Sequence, residues 1–600
     1  MLKCKESEIN HMNILGVMVG TNSTAALLTD GRLVAAVSEE RFSRKKNTGV
    51  YPAKAVEYCL QEASLNPEDI DIVVFDSIAF NYHNWVVDRD GTFTVQDWVR
   101  EQKKYWKPTI YEKKEVNYFN IFYDKIIADH YTPEIISNYI NPNNDIRPTL
   151  VINHLGNGIK NIQNALHYEC HHYYGYYMSP FREDRILSFV IEGWGDGTNA
   201  TVAKFEKGVY KELYKTNICN IGRLYRYITL LLGMKPNEHE YKVMGLAAYN
   251  AHYDKVFDIF NKTLYVDGLE FRYNERPIDH YYWFKERLDG LRFDDIAAGL
   301  QKYIESLICE WIKNWIRKTG VNKIVISGGV AMNIKAMMEV SKLDEVHDMF
   351  VAGSGSDEST AVGACFRAHV NDCIHKEKDP NDIPLVKNLY LGPSYSIPDI
   401  KEVLNMYSGD HRFKVKEDFT TIDTARIISE GNAIARFSGR MEFGARALGN
   451  RSILADPRNL TMVRELNDQI KSRDFWMPFA PVIIEEREKD YLVNPKNISS
   501  PYMTIGFDTT ELAIKDLICG LHQGDLTARP QILKRDENQN FYDLIKEFEK
   551  ITGVGGLINT SFNLHGYPIV NTPNDAMYVF LNSDLKYLLM DNILVYDSKQ

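Results

Sequence analysis

ILGVMVGTNSTAALLTDGRLVAAV, residues 14–37, sets three short apolar runs between two turns. Residues 14–20 read as a buried strand, residues 25–29 return alongside it, and residues 33–37 make a third pass. Asp30-Gly31 lies between the second and third runs. Asp-Gly is a strong hairpin signal, because both central residues of such a turn take positive φ. The stretch therefore reads as a β-meander. Outward from it, SEERFSRKKN (residues 38–47) is a loop rich in both charges. Residues 52–63 carry helical periodicity, and IDIVVF (residues 70–75) is a further buried strand. A meander followed by helix and strand predicts an α/β domain.

At 600 residues the chain is too long for one ordinary domain. Lys, Asp and Pro cluster in KEKDPNDIPLV (residues 376–386), the composition of a linker. The expected division is a first domain over 1–388 and a second over 389–600. The net charge of −11 argues against a broad phosphate-tracking surface, so no nucleic-acid partner is expected, although a local basic pocket is compatible with it. No run of about 20 apolar residues is present, and MLKCKESEINHM lacks the apolar centre of a signal peptide, so neither a membrane span nor export is expected. The eight cysteines are scattered with no C-x-x-C pair, as expected of reduced thiols in a cytoplasmic protein.

The most distinctive charge pattern lies late in the chain. GRMEFGARALGNRSILADPR (residues 439–458), continued by NDQIKSRDFWMPFAP (467–481), sets out Arg440, Arg446, Arg451, Arg458, Arg464, Lys471 and Arg473. Gly439, Gly444 and Gly449 interleave them. Glycine lets a backbone bend and approach a ligand closely, and guanidinium forks match phosphate and carboxylate. The pattern predicts an anion site for a phosphorylated small molecule.

Other groups carry chemistry by type and spacing. His167 and His171 are four apart and share a helix face, a spacing with which two imidazoles hold one transition metal. His172 falls off that face. EGWGDG (192–197) follows the strand ILSFVI with acids that face either a ligand or solvent. Glu240 and Lys242 sit where a helix opens, and are candidates for the wall of an acceptor pocket. IVIS (324–327) runs into Gly328-Gly329 and Asn333 before a helix, an arrangement that binds phosphate or adenylate. Asp357 lies at the start of another helix.

Taken together these motifs resemble the O-carbamoyltransferases, which decorate antibiotics, nodulation factors and other natural products. The resemblance is carried by EERFSRKK (39–46), H-x-x-x-H before Ser179-x-Phe181, LYRYITLLLGMKPNEHEYKVMGLAAY (224–249), GGVAMN (328–333), the arginine stretch, SPYM (500–503), TAR (527–529) and NTSFN (559–563). It implies an α/β protein. The first domain would be two-lobed, of the actin/hexokinase/Hsp70 type, like the tRNA threonylcarbamoyl-transfer protein. The second would resemble threonylcarbamoyl-adenylate synthase, whose K-x-R and S-x-N signature matches Lys471-x-Arg473 and Ser561-x-Asn563. In the second domain, carbamoyl phosphate and ATP with Mg²⁺ would give carbamoyl-adenylate and pyrophosphate, held by Arg446, Arg451, Lys471, Arg473, Arg529, Ser561 and Asn563. In the first, His167, His171 and Asp357 would hold a divalent metal, Fe²⁺ in relatives. Gly328, Gly329 and Asn333 would face the nucleotide, Lys242 would serve the transfer, and a small-molecule alcohol would receive the carbamoyl group. A tyrosine-rich first domain is compatible with a cationic acceptor such as a saxitoxin-type guanidinium alkaloid. The chain departs from the family at Thr21-Asn22, where relatives carry His-Asp, and at Asn47, where they carry histidine. Carbamoylation of tRNA and non-catalytic nucleotide binding are the competing readings, and a homodimer is the default assembly.

Overall fold

The fold is that of a computed structural model describing residues 12–130, 145–467, 470 and 474–599. The meander forms as β1 (Asn13–Met18), β2 (Thr24–Thr29) and β3 (Arg32–Ser38), all antiparallel. Asp30 (φ 50) and Gly31 (φ 75) make the turn. β4 (Ile72–Phe75) and β5 (Ile162–Asn164) then add in parallel, giving the order β3-β2-β1-β4-β5. A second sheet repeats this plan. β6 (Arg185–Gly195), β7 (Thr198–Glu206) and β8 (Val209–Thr216) form its meander. After a small hairpin of β9 (Leu264–Asp267) and β10 (Glu270–Tyr273), strands β11 (Lys323–Ser327) and β12 (Asp348–Val351) add in parallel, giving β8-β7-β6-β11-β12. The first domain is therefore two copies of one 3-2-1-4-5 sheet.

The apolar runs are nearly continuous because each sheet is covered on both faces. Within the meander, Leu15, Val17, Ala25 and Leu27 pack towards helix Ala53–Glu62. Their alternates Ile14, Met18, Ala26 and Leu28 face the other way, onto helices His167–Met178 and Thr360–His375. Those two helices also receive Ile186, Val325 and Phe350 of the second sheet, so they lie between the sheets. Leu187, Phe189 and Ile191 turn outwards onto the 27-residue helix Phe293–Thr319, which ends on Gly320 at φ 69. The middle layer leaves no room at Gly363. A Cβ there would lie 1.9 Å from the Cys170 carbonyl oxygen of the facing helix.

The second domain is one mixed sheet of eight strands. These are β13 (Phe413–Lys416), β14 (Ile434–Phe437), β15 (Arg451–Ala455), β16 (Ala480–Ile484), β19 (Gln531–Leu533), β20 (Gly556–Ser561), β21 (Tyr587–Met590) and β22 (Ile593–Asp597), while β17 (Leu492–Val493) and β18 (Asp508–Thr509) pair separately. The sheet order is β13-β22-β21-β14-β15-β20-β16-β19. Helices Thr421–Ser429 and Gln539–Thr552 cover one face, and Ile397–Met406 and Pro573–Leu581 the other.

Arginines join the domains. Arg440 donates to the carbonyls of Val34 (3.0 Å), Leu391 (2.7 Å) and Gly392 (3.2 Å) and to the Tyr58 hydroxyl (3.1 Å). From the other side, Arg41 donates to the Gly444 carbonyl (2.7 Å), and Arg44 to those of Pro568 (2.9 Å) and Ile569 (2.7 Å). Leu389 and Leu391, at the expected boundary, pack among the helices between the sheets, together with Phe443, Leu448 and Tyr502 of the second domain.

Gly363→Ala is expected to force the two middle helices apart and cost on the order of 1–3 kcal/mol, the usual range for overpacking. Chemical denaturation followed by circular dichroism checks this; a variant as stable as the parent chain would contradict the close packing described.

Candidate functional site

The middle helices and the strand ends bring four ligating side chains together. His167 and His171 occupy the first turns of helix His167–Met178. Glu192 comes from near the end of β6, and Asp357 from the short turn before helix Thr360–His375. One ligand atom of each lies within 4.8 Å of every other. His167 Nε2 is 3.0 Å from a Glu192 carboxylate oxygen and 3.7 Å from Asp357, and His171 Nε2 is 3.7 and 3.9 Å from the same two groups. The backbone is shaped for this approach: a Cβ at Gly195 would lie 2.2 Å from the His167 ring. Asp196 accepts the His167 main-chain N–H (2.8 Å), satisfying one of the orphan donors at the helix start.

The donor chemistry fits a divalent first-row cation. Two imidazoles and two carboxylates form an N₂O₂ set whose charge balances a dication. Both ring nitrogens of His171 are buried without a hydrogen-bond partner, an arrangement that costs about 1–3 kcal/mol per group unless something ligates them. His167 turns Nδ1 to within 3.2 Å of Asp76, which also accepts from Thr360 (2.6 Å), so Nε2 is the nitrogen left to face the cluster. Burial alone would lower His167; the Glu192 carboxylate, aided by hydrogen bonds with Asp357 and Asp76, instead holds it well above the ordinary histidine range. Burial and then the charge on His167 push His171 down to about 3. Burial raises Glu192. The low-dielectric surroundings of Asp357 also act to raise it, but the hydrogen bond and charge of His167 override them and hold it low.

Glu192 and Asp357 open on a cavity of about 950 Å³ that lies between the domains. On the second-domain wall stand Arg446, Arg529, Ser561 and Asn563. Ser561 donates to the Asn563 side chain (2.7 Å), whose amide donates to the Tyr567 carbonyl (2.6 Å). Gly329 and Asn333 also line the cavity, and so does Lys242, which is paired with Asp474 (3.1 Å) of the second domain. Gly91–Thr94 contribute part of the first-domain wall. Thr21 and Asn22 line it too, and Thr21 donates to Asp90 (2.5 Å).

Several expectations are corrected by these positions. Arg451 is no anion ligand: it starts β15 fully buried, donates to the carbonyls of Ser438, Gly439, Asn450 and Pro393, and stacks on Phe437 at 3.7 Å. Gly328, at φ 90, serves backbone packing, since a Cβ would lie 2.5 Å from the Ile191 carbonyl oxygen; Gly329 is the glycine that reaches the cavity. The Asn333 amide caps its own helix and exchanges hydrogen bonds with Gln301 (2.9 and 3.0 Å). Tyr173, Tyr174, Tyr176 and Tyr177 are buried between the sheets. Lys471 and Arg473 lie outside the described residues. Sequence reasoning missed Asp76, and it left Glu192 undecided between ligand and solvent.

His172 has a different fate from its neighbours. It is fully buried between Ser188 (2.7 Å) and Thr201 (2.8 Å), and burial pushes it down to about 3. A histidine neutral when folded must charge when unfolded, so its contribution is present above pH ~6.5 and is lost as pH falls towards 3. Stability is expected to fall by up to ~1.4 kcal/mol per pH unit across that window from this group. Denaturation at several pH values checks this, with His172→Gln flattening the slope.

Two family models match the chain: one described as the carbamoyltransferase N-terminus over residues 13–366, and one as the carbamoyltransferase C-terminus over residues 425–597. An uncharacterized protein of Methanocaldococcus jannaschii is 30% identical over 461 residues, covering 73% of this chain and 74% of its own. The nodulation protein NolNO of Sinorhizobium fredii is 28% identical over 585 residues, covering 96% of this chain and 78% of its own. The solved structure of Acidaminococcus fermentans (R)-2-hydroxyglutaryl-CoA dehydratase component A is 16% identical, at a TM-score of 0.32, over 60% of this chain and 98% of its own.

Proposed function

The chain belongs to the carbamoyltransferase family, and we propose that it is an ATP-dependent O-carbamoyltransferase acting on the hydroxyl of a small molecule. The observation that carries this reading is the single cavity whose two walls hold the His/carboxylate cluster and the Arg446/Arg529/Ser561/Asn563 group. On the second-domain wall, carbamoyl phosphate gives up orthophosphate to water. The resulting carbamate oxygen attacks the α-phosphorus of ATP, and pyrophosphate leaves. Arg446 and Arg529 balance the phosphate charge, and Ser561 and Asn563 bond its oxygens; Mg²⁺ brought in with ATP would supply further charge neutralisation. The carbamoyl-adenylate then crosses the cavity without release into bulk water, which would hydrolyse it.

On the first-domain wall His167, His171, Glu192 and Asp357 would hold a divalent cation, which supplies Lewis-acid polarisation of the carbamoyl carbonyl. The acceptor oxygen attacks the carbonyl carbon, the bond from that carbon to the phosphate oxygen breaks, and AMP leaves. Thr21 and Asn22 carry no imidazole, so the hydroxyl proton needs another acceptor. Glu240 lines the same cavity, takes the Asn237 main-chain N–H (2.8 Å), and is raised by burial to about 7. A carboxylate at that value is matched to accept a proton at neutral pH. Lys242, held by Asp474, fixes the helix that presents Glu240.

Carbamoyl-phosphate-dependent pyrophosphate release from ATP is the first expected activity, with an acceptor gaining one carbamoyl group by mass spectrometry. His171→Ala is expected to keep pyrophosphate release while losing bound metal and about 100-fold or more in transfer; full transfer with full metal content in that variant would sink the metal assignment. Transfer is expected to rise with pH through about 7. Glu240→Gln should abolish that limb and slow transfer by about 100-fold.

A further inference from the structure

Most charged side chains on the first-domain wall are already engaged. Glu238 pairs with Lys46 (2.9 Å) and Lys235 (2.8 Å), and Asp90, beside the lining residue Gly91, takes hydrogen bonds from Thr21, Asn84 and Asn237. Glu358 accepts from Ser354, and Lys242 holds Asp474. Arg226 is different. It lies on helix Ile221–Leu231, lines the cavity, and among the described residues makes no hydrogen bond or ion pair. Its guanidinium rests on Gly193, where a Cβ would meet Nη2 at 3.1 Å, one residue beyond Glu192 of the His/carboxylate cluster. Gly222 lets the same helix close on this loop, since a Cβ there would lie 2.9 Å from the Gly193 nitrogen. One turn back, Arg223 has no carboxylate partner among the described residues either. Its guanidinium lies 4.6 Å from the ring centroid of Trp194, which lines the cavity with 47% of its surface exposed. Burial and then the charge of Arg226 act to lower Arg223. Arg226 itself acts on the carboxylates of Asp90, Glu240 and Asp357 through charge alone, bonded to none of them.

We propose that Arg226, backed by Arg223 and edged by Trp194, is an oxyanion seat on the first-domain wall, built to take a phosphate-class group beside the His/carboxylate cluster. A guanidinium that lines the cavity with no hydrogen-bond partner among the described residues can donate to a ligand there, and a planar fork beside an exposed indole suits a phosphate attached to an aromatic or sugar ring. Two sources share this chemistry. One is the phosphate of the adenylate donor, which gains charge as AMP leaves; this assignment rests on the function proposed above. The other is an anionic substituent on the acceptor.

The test is calorimetric binding of AMP, adenosine and inorganic phosphate to the full-length chain, and it needs no turnover. Arg226→Ala and Arg226→Lys are compared within an Arg529→Ala background, so that second-domain phosphate contacts are equal. If the seat takes the donor, Arg226→Ala lowers AMP affinity about tenfold or more, leaves adenosine unchanged, and Arg226→Lys restores part of the loss. If the seat takes an acceptor anion, inorganic phosphate loses affinity to that extent while AMP does not. Unchanged binding of both AMP and phosphate in a folded Arg226→Ala variant overturns the proposal. Failure of carbamoyl-phosphate-dependent pyrophosphate release in the parent chain is a separate result. It removes the enzymatic reading and leaves the seat to be judged on binding.

Discussion

The shared cavity depends on guanidinium groups that cross from each domain to main-chain oxygens of the other. Arg440 reaches the Val34 carbonyl and the Tyr58 hydroxyl of the first domain, and Arg41 and Arg44 reach three carbonyls of the second. Carbonyl acceptors are fixed by the backbone, so these contacts set orientation as well as attachment. Five donors in a rigid fork make several such bonds at once, which an ammonium cannot do with the same geometry. Between them lies the cavity that both walls share.

Much of this architecture could be read directly from residues. The meander was visible because its alternate positions both had to be apolar, one set for each covering helix, and because Asp30-Gly31 supplies the positive φ values of a tight turn. The His167–His171 spacing likewise announced a shared face. Glu192 and Asp76 were illegible for a topological reason: each stands at or near the end of a strand, and only the sheet order decides which ends meet. Asp76 follows β4, Glu192 lies three residues before the end of β6, and no local pattern brings them to one helix start.

The arginine stretch shows the opposite failure, a pattern more uniform in sequence than in space. Arg446 precedes β15 and reaches the cavity, whereas Arg451, five residues on, enters the strand and turns into the core. Strand register separates them, and charge spacing carries no register. Its glycines were read as room for a ligand, yet they make room for protein. At Gly444 (φ 97) a Cβ would strike Ser354 at 2.5 Å, and at Gly449 (φ 115) it would strike the Phe541 ring at 2.2 Å. The tyrosines of helix His167–Met178 fill the layer between the two sheets.

The repetition of one sheet plan has a thermodynamic consequence. Helix His167–Met178 follows the fifth strand of the first copy, and helix Thr360–His375 follows the fifth strand of the second, so the two histidines and Asp357 come from equivalent places in two half-molecules. Glu192 comes from the first strand of the second copy. An ion held by all four would act as a staple between the copies. Its affinity and their closure are then one equilibrium: whatever draws the halves together tightens the staple, and the staple in turn stabilises the closed halves by mass action.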